Sequence, residues 1–358
     1  MITISVCMIV KNEEAVLARC LDSAKVFADE IIIVDTGSTD QTKQIARQFT
    51  EHIYDFEWID DFAAARNYSF SKASMDYCMW LDADDVVPHS EQQKLLALKE
   101  SLPSDTDMVM LKHNTTFDEA GNPTFSYYRE RIMRNRAGFL WLGAIHEVIP
   151  PRGKIHYDDI AIHHMKVGPG DPDRNLRIFE KLISSGVTLD ARQQFYYARE
   201  LYYHQRYDEA IDIFKTFLDN THGWVENKID ACRILSQCHL SLQQYEASFE
   251  ALLKSFRYDV PRAETCCNLG AFFQLRRQYE QAIFWYKQAL ACTRNDRSGS
   301  FIIEDCYGYH PHLQLCLCYD ALGDYHQANK HNELANICKP NMPAYTHNKN
   351  YFAAKCTQ

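Results

Sequence analysis

Up to about residue 165 the chain alternates short apolar, β-branched runs with segments of helix-forming composition, the rhythm of strands joined by crossover helices. Ile4–Val10, Glu30–Val34, Tyr77–Leu81 and Met108–Lys112 have the length and residue types of buried strands, and Phe125–Met133 and Ile155–His164 also read as extended. Helices are predicted over Glu13–Ala24, with Asn12 as N-cap, and over Asp61–Ala73, which opens on an aspartate and continues in good helix formers. Together these segments imply an α/β fold, a mixed sheet with flanking helices.

From about Ala191 the spacing becomes helical and repeats itself. Tyr207, Tyr245, Tyr279 and Tyr325 are each followed three residues later by Ala210, Ser248, Ala282 or Ala328, and twelve residues before those stand Ala198, Ser236, Gly270 and Cys316. Small residues at a fixed offset suit helical hairpins whose two helices cross closely, with the tyrosines filling the gap to the next hairpin. The intervals of 38, 34 and 46 residues depart from a strict period, and loops such as Arg294–Ser300 absorb the excess. The copy running through Leu269, Gly270, Phe273, Tyr279, Ala282, Tyr286 and Ala289 resembles the tetratricopeptide repeat.

A length of 358 residues exceeds what one core usually needs, which agrees with two domains. The expected division is a catalytic domain over 1–167, a linker and lid over 168–190, a helical repeat domain over 191–345 and a tail over 346–358. The formal net charge of -10 argues against general nucleic-acid binding, although a bound cation would allow one diphosphate to be held. The apolar runs are far shorter than the roughly 20 residues of a bilayer span, and the first residues lack a basic region and a cleavage site. With thirteen cysteines scattered mostly through helical segments and no paired Cys-x-x-Cys knuckles, a cytoplasmic protein with reduced thiols and no transmembrane segment is expected.

The residues that carry chemistry stand at the ends of the predicted strands. Met79-Trp80-Leu81-Asp82-Ala83-Asp84-Asp85 places carboxylates one residue apart where a hydrophobic strand ends, and there a hard cation can bridge carboxylate and phosphate oxygens. Ile9-Val10-Lys11-Asn12-Glu13-Glu14 and Ile33-Val34-Asp35-Thr36-Gly37-Ser38-Thr39-Asp40 end the first two strands and face the same crevice if the sheet is parallel there. Asp60-Asp61-Phe62-Ala63-Ala64-Ala65-Arg66-Asn67 opens a helix just before the Asp-x-Asp strand, and Arg66 is a candidate for a phosphate or a base.

These four segments, in this order over residues 3–165, resemble glycosyltransferase family 2, whose catalytic domain has the GT-A fold, a Rossmann-like nucleotide-binding sheet. The resemblance implies nucleotide-sugar contacts from Val10, Asn12, Glu13, Asp35, Thr36, Arg66, Asn67, Asp82 and Ala83, with Asp84 holding Mn2+ or Mg2+ and His164 as a further metal ligand. Asp35-Thr36 departs from the two consecutive acids of many members. Trp141-Leu142-Gly143-Ala144-Ile145-His146-Glu147 resembles the Trp-x-Gly-x-x-His-Glu segment of members with tetratricopeptide repeats behind the catalytic domain. Inverting transfer needs one base opposite the leaving group; Glu147 is the choice and His146 the rival. The expected function is transfer of a sugar from a nucleotide-sugar, a UDP-sugar by resemblance, to a peptide or protein side chain held by the repeats, which also offer a surface for homo-oligomers. The alternatives are a sugar nucleotidyltransferase, disfavoured by the acidic, glycine-free first turn, and a repeat-based adaptor with an inactive scaffold.

Overall fold

Short apolar runs bounded by turn residues become, in the first of two units (Met1–Thr188), eight strands of a single sheet among the described residues. The computed structural model describes residues 1–118, 121–168 and 170–355. The strands are β1 (Ile4–Val10), β2 (Glu30–Asp35), β3 (Ile53–Asp55), β4 (Tyr77–Trp80), β5 (Asp85–Val86), β6 (Met108–Phe117), β7 (Pro123–Arg134) and β8 (Ile155–His164), ordered β3-β2-β1-β4-β7-β6-β8-β5. Strands β3, β2, β1 and β4 run parallel, so the carboxyl ends of β1, β2 and β4 open on one sheet edge. β7 is antiparallel to both β4 and β6, β8 is parallel to β6, and β5 is antiparallel to β8, pairing Asp85 with His164. That last pairing carries the end of β8 back to the end of β4.

The helices of this unit are α1 (Leu17–Ala24), α2 (Thr42–Ala46), α3 (Phe62–Ser71), α4 (His89–Ser101) and α5 (Arg174–Ser184). Asp61 caps α3, its carboxylate accepting from the Ala64 amide at 2.9 Å. Asn12 caps no helix: its backbone is left-handed at φ 56°, its side-chain oxygen accepts from the Thr39 amide at 2.8 Å, and α1 starts only at Leu17. The stretch read as a linker contains α5, an amphipathic helix that buries Leu176, Ile178 and Phe179; Pro169 of that stretch lies outside the described residues. The core under the parallel strands is built from Ile4, Val6, Met8, Val10, Leu17, Leu21, Ile33, Met79 and Leu81.

In the second unit (Leu189–Gln358) the repeat tyrosines are each the first residue of the second helix of a hairpin. The hairpins are α6 (Ala191–Tyr203) with α7 (Tyr207–Asp219), α8 (Val225–Ser241) with α9 (Tyr245–Lys254), α10 (Ala263–Leu275) with α11 (Tyr279–Ala291), and α12 (Tyr309–Ala321) with α13 (Tyr325–Cys338). All eight small repeat residues are buried, and Ser236 and Ser248 meet across their hairpin at 2.8 Å. A Cβ on Gly270 would stand 2.7 Å from the Tyr286 ring, so that crossing has no room for a side chain. The excess of the longest interval lies between Ala291 and Tyr309. A last helix, α14 (Pro343–Lys355), occupies most of the segment expected as a tail, burying Phe352 against Cys316 and Ala328; residues 356–358 lie outside the described residues.

Candidate active site

Two tight strand-to-helix turns meet at the carboxyl ends of β1 and β2. Val10 pairs with Asp35 across the strands, and its carbonyl accepts from the Thr36 amide at 2.9 Å and the Thr36 hydroxyl at 3.1 Å. The Asn12 amide donates to Ser38 Oγ at 2.9 Å and the Glu13 amide to Thr42 Oγ1 at 2.7 Å. Asp35 is 2% exposed; its Oδ1 accepts from the amides of Gly37 and Ser38 at 3.0 and 2.9 Å, while its Oδ2 is buried with no hydrogen-bond partner. A buried carboxylate oxygen left unsatisfied at the ends of β1 and β2 suits a ligand N–H or O–H, because an unpaired buried acceptor costs free energy until it is paired.

Arg66, on α3, joins the next two segments. Its Nη2 donates to Asp82 Oδ1 at 2.7 Å and its Nε to Glu147 Oε1 at 2.6 Å, and the guanidinium lies 5.1 and 4.9 Å from the ring centroids of Trp80 and Trp141. Burial lowers the Arg66 pKa, but the two carboxylates more than reverse that and raise it. Burial likewise pushes the Asp82 carboxyl up, and Arg66 together with Arg131 more than offsets this to hold it low. Asn67 next door spends its carboxamide on the backbone of Trp141, donating to the carbonyl at 3.0 Å and accepting from the amide at 2.9 Å, so it fixes that segment. The Ala83 side chain packs into the core.

Asp84 and His164 form the adjacent corner. His164 Nδ1 lies 3.2 Å from Asp84 Oδ1 and 3.1 Å from Asp85 Oδ1. Burial raises the Asp84 carboxyl, His164 opposes this, and Asp82 and Asp85 add to the rise. Glu13 is pushed up to about 7 by burial, then by Asp84, Asp82 and Asp40. Burial lowers the His164 imidazole, and Asp85 and Asp84 more than reverse it. A carboxylate beside an imidazole, in a corner where carboxylates push one another's pKa up, is a donor set and a charge balance that fit a divalent cation. His146, in left-handed conformation at φ 51°, stacks on Phe179 with centroids 6.2 Å apart.

The structure therefore brings Asp82, Glu147 and Arg66 together, Asp84 and His164 together, and Val10, Asn12, Asp35 and Thr36 together. Sequence reasoning missed Asp85, His113 and Arg131, whose donor and acceptor atoms interlock behind Asp84. The available signal was a charged residue, Arg131, immediately before Ile132-Met133 in a strand whose end is buried on both faces.

Residues 5–151 match the family model Glycosyl transferase family 2, and the first unit is a glycosyltransferase family 2 domain. Among curated proteins, a TPR repeat-containing protein of Synechococcus elongatus is 34% identical over 149 residues, 42% of this chain and 36% of that protein. The SPbeta prophage-derived glycosyltransferase SunS of Bacillus subtilis is 26% identical over 259 residues, 68% of this chain and 59% of SunS. The chain thus spans between about a third and three fifths of the length of these two relatives. Glucosyl-3-phosphoglycerate synthase from Mycobacterium tuberculosis, solved with Mn2+ and uridine-diphosphate-glucose, aligns at 16% identity over 53% of this chain and 81% of that one, with a TM-score of 0.36. No helix among the described residues is long and apolar enough to cross a membrane.

Proposed function

We propose that this chain is an inverting, metal-dependent glycosyltransferase that moves a sugar from a nucleotide-sugar, a UDP-sugar, to a peptide or protein side chain held by the repeat unit, in the cytoplasm. The observation that carries this reading is the gathering of acidic side chains at the carboxyl ends of β1, β2 and β4. It combines a buried carboxylate oxygen of Asp35 without a partner with carboxylates that raise one another's pKa around Asp84. A nucleotide supplies donors for the first, and a diphosphate with its cation neutralises the second.

In this reading Asp35 Oδ2 accepts from the base or ribose, beside the turn made by Val10, Asn12, Glu13 and Thr36. Asp84 and His164 hold Mn2+ or Mg2+, which when bound stabilises the negative charge on the departing nucleoside diphosphate. Asp82 stands just past the end of β4 with its geometry set by Arg66. Glu147 takes the acceptor proton, and its Nε–H···Oε1 bond from Arg66 fixes the carboxylate and leaves one oxygen for that task. Helical repeat arrays present extended surfaces to peptides, which supports placing the acceptor on the second unit.

Nucleotide binding and turnover separate these roles. Asp35→Asn is expected to weaken UDP binding about tenfold in calorimetry, since a strong charged acceptor becomes a weaker neutral one. Glu147→Gln is expected to lower kcat by about 10²–10⁴-fold with UDP binding retained. If Glu147→Gln stays active while His146→Gln loses turnover, the base is His146.

A further inference from the structure

Asp85, His113 and His164 each present a ligand atom, all within 4.8 Å of one another, the spacing of a metal centre. Two of the three are already taken by a side chain. Arg131 donates from Nη1 to Asp85 Oδ2 at 2.8 Å and to the Trp80 carbonyl at 3.2 Å, its Nη2 lies 2.5 Å from His113 Nδ1, and its guanidinium sits 3.6 Å from the Trp80 ring centroid. Both side chains of the Arg131–Asp85 pair are fully buried. A guanidinium has only donors and does not lose its proton in proteins, so His113 must accept through Nδ1 and keeps no lone pair for an ion, while one oxygen of Asp85 is held by the guanidinium. The cation of this trio is part of the chain.

The other contacts of Asp85 show what that cation does. Asp85 Oδ1 lies 3.1 Å from His164 Nδ1, and Oδ2 also accepts from the Asp82 amide at 3.1 Å. These contacts fix the residues on both sides of Asp84: the ring of His164 and the backbone that leads into Asp84. We infer that Arg131 is a positioning residue, a built-in cation that locks Asp85 so that His164 and Asp84 are held ready for a divalent ion. The inference rests on the reading of Asp84 and His164 as metal ligands. His164 Nδ1 faces Asp85 Oδ1 at 3.1 Å and Asp84 Oδ1 at 3.2 Å, and anchoring by a carboxylate both orients an imidazole and strengthens it as a ligand. A purely structural clamp would instead affect folding alone.

Mn2+ alone, titrated into the full chain and read from the electron paramagnetic resonance signal of the free ion, tells these apart. The paired variant Arg131→Met/Asp85→Asn removes both charges together, which avoids leaving one buried and uncompensated. It is expected to keep the wild-type circular dichroism and an unfolding midpoint within a few degrees, while Mn2+ affinity falls at least about tenfold. Arg131→Lys, which keeps the charge on Asp85 but loses the second arm to His113, is expected to lie between. Mn2+ affinity within about twofold of wild type in the folded paired variant would overturn the inference and leave the proposed function standing. If that variant does not fold, Arg131→Lys decides: several-fold weaker binding in a folded protein supports the inference, and wild-type affinity overturns it. A wild-type chain that binds no Mn2+ would remove the metal reading, and the positioning role with it.

Discussion

Arg66 ties Asp82, 16 residues away in sequence, to Glu147, 81 residues away, and both contacts depend on the forked geometry of one guanidinium. Arg66→Lys keeps the charge but cannot reach both carboxylates in the same way. It is expected to cost about 1–3 kcal/mol in urea unfolding, the range for losing a buried charge-assisted hydrogen bond, and to lower turnover by at least about tenfold. The second unit holds a pH-sensitive contact. His331 and His312 meet Nδ1 to Nδ1 at 3.0 Å, so one must be an acceptor; burial and then the neighbouring His312 push His331 down to about 4 from an ordinary 6.5. The unfolded chain therefore binds a proton that the folded one refuses. The associated stability is present in full above pH 6.5 and is lost as pH falls towards 4, about 2 kcal/mol by pH 5. Urea midpoints measured from pH 7 to 5 should fall more steeply for wild type than for His331→Gln. At this scale the sequence was legible where chemistry sits at strand ends: Asp35 ends β2 and Asp82 and Asp84 follow β4, while Glu147, from the segment between β7 and β8, reaches the same Arg66 as Asp82. It was not legible for Asp85, His113 and Arg131, because their roles depend on pairings of β5 with β8 and of β6 with β7 that no local pattern specifies.

Elements followed their local signals where these were strong. β1 and β8 run over the residues their patterns imply, and the repeat tyrosines start their helices because a turn of fixed geometry precedes each. In all four turns the residue two before the tyrosine is left-handed, Gln205, Gln243, Arg277 and Gly323 at φ 60°, 59°, 58° and 78°. The amide after it closes the first helix, as from Gln278 to the Phe273 carbonyl at 2.9 Å. Only one of the four is glycine, although a side chain in this conformation costs about 1 kcal/mol. Arg277→Gly or Gln205→Gly is therefore expected to raise stability by up to about 1 kcal/mol, visible as a higher midpoint in calorimetry. Helix α4 left no comparable signal. Its packing face includes Gln92, bonded to the Val87 carbonyl at 2.9 Å, and Lys99, bonded to the Phe27 carbonyl at 2.7 Å and Asp29 at 2.6 Å, so polar residues occupy positions where an apolar stripe would have marked a helix. The start of α1 was misplaced for a related reason: Asn12 uses its carboxamide on the neighbouring turn at Thr39.

For the whole molecule, the change of rhythm near residue 190 corresponds to a division of the chain into two units between Thr188 and Leu189. Each has its own buried core, the parallel-strand core in the first and a helical core around Cys266, Ala282, Tyr286 and Leu315 in the second. Production of 1–188 alone is expected to give a folded fragment that binds UDP with Mn2+ as the full chain does, while transfer to an acceptor requires both units; weak UDP binding by a folded fragment would show that the second unit completes the donor site. In the proposed reading, a net charge of -10 makes a bound cation the counterpart that lets a diphosphate be held. The most direct measurement is donor hydrolysis across a panel of nucleotide-sugars, with and without Mn2+, for wild type and Asp84→Ala. The expected result is Mn2+-dependent hydrolysis of a UDP-sugar that is lost in Asp84→Ala. Folded wild-type protein that neither binds nor hydrolyses any nucleotide-sugar, with or without Mn2+, would contradict the account.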